Sequence, residues 1–90
     1  MKQEMLTKFI EQGYVVQEPT KDKTLFLVRQ ENKGTILIFV KLYKKKVEIE
    51  AYKYSKNKVR NVSLTDNIHQ LLLDYILDLG YTEYQVTSAK

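Results

Sequence analysis

Residues 24–54 read TLFLVRQENKGTILIFVKLYKKKVEIEAYKY. Apolar side chains recur at every second position in three runs, 24–30, 35–43 and 46–54. The breaks between them are ENKG and a lysine turn at 44–46. Alternation of period two, interrupted by turn-forming residues, predicts consecutive antiparallel strands. Their register follows from the side chains. A loop at 31–34 pairs Gln30 with Thr35, hence Leu27 with Ile38 and Phe26 with Phe39. Across the lysine turn, pairing Leu42 with Val47 sets Val40 against Ile49 and Ile38 against Ala51. A slip of one residue would set Val40 against Glu48 and mix the two faces, so the unslipped register is expected.

That register gives the sheet two unlike faces. One carries Leu25, Leu27, Ile36, Ile38, Val40, Leu42, Val47, Ile49 and Ala51, the aliphatic surface that a covering helix packs against. The other carries Phe26, Val28, Leu37, Phe39, Tyr52 and Tyr54, with Lys41, Glu48 and Glu50 at one end.

Outward from this centre, residues 2–12 place Met5, Leu6, Phe9 and Ile10 on one helical stripe. Gly13 ends that helix, and Tyr14–Val16 begin extended chain. EPTKDK at 18–23 is a turn, with Pro19 pressing Glu18 toward extended geometry. SKNKVRNV at 55–62 is a basic connection with a candidate short strand at 58–62. SLTDNIHQLLLDYILDLG is a second helix, with Ser63 or Thr65 as cap and Asp66 at its positive end. Gly80 stops it, and 82–87 offers a terminal strand. FIEQGYVV and ILDLGYTEY thus write one local event twice: glycine ends a helix, and tyrosine clamps the reversal. The fold class expected is α+β: one domain over 1–90, an antiparallel meander of about four strands, and two helices on one face.

At about 100° per residue, Leu64, Ile68, Leu71, Leu72, Tyr75, Ile76 and Leu79 share one face of the second helix, while Leu73 and Leu77 lie nearly opposite. Two helices cover one sheet face comfortably. The aromatic face therefore needs the tail, a crossing helix or another molecule, and the same holds for Leu73 and Leu77.

Ninety residues without cysteine exclude a disulfide framework and zinc–thiolate sites. The first thirteen residues lack the apolar core of a signal peptide, and the longest apolar run is five residues, Ile36–Val40. A soluble, cytoplasmic protein with no membrane partner is expected. The net charge of +4 is uneven. Residues 41–60 carry eight Lys or Arg against Glu48 and Glu50, and 61–90 carry Lys90 against four acids. Only Arg29 and Arg60 of the fifteen basic residues are arginine, so much of the lysine reads as general solubiliser.

Catalytic signatures are weak. There is one histidine, no G-x-S-x-G elbow, and three glycines too dispersed for a phosphate loop. Glu48 and Glu50 share a strand face about 7 Å apart, a separation that a two-carboxylate hydrolase also uses. The expected reading is a solvated strand edge balanced by Lys41 and Lys46. Asp66 and His69 are three apart on a helix, but two ligands without a third make a weak metal signal. No catalytic residue, metal or cofactor is assigned.

The expected function is non-enzymatic protein binding, with a second copy or another protein as partner. The interface residues expected are Phe26, Leu37, Phe39, Tyr52 and Tyr54, or Leu73 and Leu77 on the helix. A homodimer is the simplest form, and a small inhibitor or adaptor from a mobile element suits the size and composition. The alternative is nucleic-acid binding through Lys44, Lys45 and Lys46 at one sheet end and Lys56, Lys58 and Arg60 at the other, with Tyr52 and Tyr54 stacking on bases. Against it stand the scarcity of arginine and the two glutamates on the tyrosine face.

Overall fold

The computed structural model describes residues 3–17 and 24–87. Helix α1 (Gln3–Glu11) leads into strands β1 (Val15–Gln17), β2 (Thr24–Glu31), β3 (Gly34–Leu42), β4 (Val47–Ser55) and β5 (Lys58–Asn61). Helix α2 (Asp66–Asp78) and strand β6 (Tyr84–Thr87) follow. The turn expected at 18–23 lies outside the described residues. Strands β1 to β5 form an antiparallel meander in chain order, and β6 joins β4 in parallel. The fold is α+β, as alternation and helical period predict.

The register is the unslipped one. Leu27 pairs with Ile38, Phe26 with Phe39, Val40 with Ile49 and Ile38 with Ala51. It holds because the helix-side positions in the middle of β2–β4 are aliphatic and are removed from water together. Leu25, Leu27, Ile38, Val40, Val47, Ile49 and Ala51 are all fully buried. Phe9 from α1 and Ile68, Leu72, Tyr75 and Ile76 from α2 complete that core, so both helices pack on the same sheet face. Phe9 and Tyr75 meet edge to face at 6.4 Å.

Both Gly-Tyr pairs are Schellman turns. The amide of Gly13 donates to the Ile10 carbonyl and that of Tyr14 to Phe9. Gly80 donates to Leu77 and Tyr81 to Ile76. This pattern needs a left-handed residue at the glycine, and φ is 91° at Gly13 and 94° at Gly80. The tyrosines then diverge in use. Tyr14 is buried, with the Arg29 guanidinium 5.2 Å from its ring centroid. Tyr81 donates its hydroxyl to the Tyr43 carbonyl at 2.7 Å, tying the lysine turn to the end of α2.

The expected meander holds, and the sheet comes to six strands among the described residues, because the short candidates at 58–62 and 82–87 are both strands, Lys58–Asn61 and Tyr84–Thr87. They share one edge of β4: β5 pairs with Tyr52–Ser55, β6 with Val47–Glu50. The tail therefore extends the sheet and does not roof it. The β2–β3 connection is a two-residue turn, since Glu31 already pairs with Gly34. Thr65 takes the N-cap position of α2 in extended geometry, but its side chain makes no capping bond. Leu79, expected on the buried face, is the C-cap residue of α2 and is exposed.

Candidate functional site

The sheet face opposite the helices is the first candidate. Cross-strand pairing arranges it in four rows. Gln30, Thr35, Tyr54 and Val59 form one end; then come Val15, Val28, Leu37, Tyr52 and Asn61; then Gln17, Phe26, Phe39 and Glu50; then Thr24, Lys41, Glu48 and Gln85. The middle is apolar and the far end charged. Phe26 and Phe39 stack with centroids 4.7 Å apart, and Phe39 meets Tyr52 edge to face at 6.0 Å. Phe26, Val28, Leu37, Phe39 and Tyr52 are each half-buried, by one another and not by a second layer. Val15, Tyr54 and Val59 at the flanks are exposed. No described element crosses this face.

The ionic groups on this face neutralise one another. Lys41 Nζ lies 2.6 Å from Glu50 Oε2, Tyr52 donates its hydroxyl to Glu50 Oε1 at 2.9 Å, and Lys46 Nζ lies 3.6 Å from Glu48. The hydrogen bond from Lys41, and after it that from Tyr52, holds the Glu50 carboxyl below its ordinary 4.5. The same bonds raise Lys41 and Tyr52 above their ordinary values. Glu48 and Glu50 are thus balanced by Lys46 and Lys41, the partners expected, but on a strand paired on both sides, by β3 and β6, and not at a sheet edge.

Leu73 and Leu77 are not part of this face. They lie on α2, across the sheet from the aromatic row, so one contact cannot use both sets. Leu73 is half-buried and Leu77 is exposed. His69 stands edge-on to Tyr84 at 6.3 Å, with its Nε2 enclosed and unpartnered. Among the described residues no third metal-type side chain joins Asp66 and His69.

The two basic groups lie at opposite ends of β4, whose nine residues span about 30 Å at strand rise. Lys44 and Lys45 line a cleft of about 480 Å³ with Leu79 to Glu83, beside the negative end of the α2 dipole. At the other end, Lys56, Lys58 and Arg60 are joined by Lys33, Lys53 and Ser55 around a cleft of about 330 Å³. Lys53, Lys58 and Arg60 point to the helix side of the sheet, opposite Tyr52 and Tyr54. Stacking on those tyrosines and gripping phosphate in this cleft therefore cannot act together, contrary to the expectation from sequence. Lys33 and Lys53 escaped the sequence reading. The available signal was Lys56-Asn57, a two-residue hairpin turn whose register brings Arg60 opposite Lys53.

No protein-family model, curated protein or solved structure matches this chain. No helix among the described residues is long and apolar enough to cross a membrane.

Proposed function

We propose that this chain is a non-enzymatic protein-binding module that pairs with a second copy of itself through the aromatic sheet face. The supporting observation is a contiguous apolar row, Phe26–Phe39–Tyr52 flanked by Val28 and Leu37, whose neighbouring charges are already paired on the same face. A face without surplus charge, on a chain of net charge +4, is where two copies meet with least repulsion, and it has little hold on a phosphate backbone. Strands of up to nine residues, about 4.8 Å apart over four strands, present on the order of 600 Å². Two such faces bury roughly 1,200 Å², the lower bound for a specific interface. Two sheets packed face to face, about 10 Å apart, are also a standard way to bury such rows.

The test is solution mass by light scattering from micromolar to millimolar protein. A concentration-dependent dimer is expected, with its midpoint hardly moved between about 0.05 and 0.2 M salt, a range over which phosphate contacts weaken by orders of magnitude. Phe39→Ala with Tyr52→Ala should shift the dimer to monomer while circular dichroism shows the fold retained. A wild-type chain that stays monomeric throughout would refute self-association.

A further inference from the structure

The helix-side end of the sheet carries a second surface with different chemistry. The tips of the β2–β3 and β4–β5 hairpins meet there. Ser55 donates its hydroxyl to the Lys33 carbonyl at 2.6 Å, and Gly34 lies so close to β4 that a Cβ would come within 2.5 Å of the Tyr54 carbonyl oxygen. Around this junction stand Arg29, Lys33, Lys53, Lys56, Lys58 and Arg60, six cations to one acid, Glu31. That carboxylate serves the inner pair, 2.6 Å from Arg29 and 3.4 Å from Lys53. Lys33, Lys56, Lys58 and Arg60 are exposed and have no ion-pair partner among the described residues.

Three local choices here oppose stability. Lys53 and Arg60 are direct cross-strand partners, and like charges so placed repel. Lys56 sits at φ 52°, a left-handed position that Gly or Asn fills at less cost. Three further cations, Arg29, Lys33 and Lys58, crowd the same junction, and of these only Arg29 is paired among the described residues, with Glu31. Solubility alone asks only for lysines spread over a surface, not for a repelling pair and a left-handed lysine at one stapled corner. A left-handed lysine set beside a surplus of unpaired cations points to an anionic ligand.

We propose that this cleft binds the phosphodiester backbone of a nucleic acid, without reading its bases. The lining is polar and cationic and contains no aromatic side chain, so it offers no ring to stack on a base and no apolar wall for a small molecule. Lys44–Lys46 are not part of the site. Lys46 is paired with Glu48, and Lys44 and Lys45 stand beside Glu83 and the α2 C-terminus.

Mixed-sequence oligonucleotides, single-stranded and duplex, should be titrated against the full chain by fluorescence anisotropy. Lys58→Gln with Arg60→Gln should weaken binding at least about ten-fold at about 0.05 M salt. It should also reduce the slope of log K against log salt by about 1.4 for single strands and 1.8 for duplex, two contacts' worth. Lys44→Gln with Lys45→Gln removes the same charge and should leave affinity within about two-fold. Lys56→Gly should raise the melting temperature and still weaken binding, an opposition that a merely structural lysine would not produce. Equal losses from the two double variants, no binding by the wild type, or equally tight binding of inorganic tripolyphosphate through Lys58 and Arg60 would each overturn the assignment.

Discussion

Gly34 carries more of the architecture than its size suggests. A methyl group there would meet the Tyr54 carbonyl at 2.5 Å, and backbone cannot give way as a side chain does. Gly34→Ala should lower stability by about 1–3 kcal/mol, read from the urea midpoint at unchanged slope. Gly13 and Gly80 differ from it and from each other. Both are left-handed, but a Cβ at Gly13 would come within 3.3 Å of Arg29 Cδ, whereas Gly80 faces open space. Alanine at either should cost about 1–2 kcal/mol of backbone strain, with Gly13→Ala the larger loss because Arg29 must shift off Tyr14. At the same scale, Glu50 and Glu31 have carboxyls held below 4.5, Glu50 first by Lys41 and Glu31 first by Arg29. The unfolded chain then binds these protons more readily than the folded one. Their stabilisation is complete above about pH 4.5 and is lost as pH falls through the lower folded values. Tyr14, raised by burial, and Tyr52 and Lys41, raised by their bonds to Glu50, act oppositely. Their contribution is present below their ordinary 10.0 and 10.5 and is lost above. Melting temperature against pH should fall at both ends, and Glu50→Gln should flatten the acid limb.

At the scale of the element, the strands carry two messages on alternate residues. Ile38 is fully buried and Phe39, its neighbour, is half-buried on the opposite face. Ile38→Ala should cost about 2–5 kcal/mol, the loss for a core aliphatic. Phe39→Ala should cost the isolated chain roughly half of the 3–5 kcal/mol that a buried phenylalanine forfeits, and should act chiefly on association. Unfolding at dilute protein separates the two. Strand β6 is decided differently. Its four residues alternate weakly, but Val47 donates its amide to the Glu83 carbonyl and Val86 packs on the core. Position beside an unpaired edge of β4, rather than propensity, makes it a strand.

For the whole molecule, the single-layered helix cover is the controlling fact. Both helices are spent on the aliphatic face, and the tail is spent on the sheet edge. A chain that pairs through its other face stabilises itself by mass action. Melting temperature should therefore rise with protein concentration for the wild type and stay constant for Phe39→Ala with Tyr52→Ala. A flat dependence in both would count against the pairing.

Much of this was legible in 31 residues, because burial on one face makes a one-residue slip expose an entire aliphatic row, so Leu27, Ile38, Val40 and Ile49 specify their own partners. The helix ends were legible too, since only glycine takes the turn at 13 and 80 at no steric cost. What sequence alone did not decide was which molecule-wide neighbours each face acquires. Whether 84–87 roofs the aromatic row or joins β4 depends on where α2 delivers the chain. Whether Lys33 stands beside Lys58 depends on two hairpin tips, 24 residues apart, closing on Gly34. Alternation is a local property of a strand. The company a surface keeps is set by the packing of the whole chain.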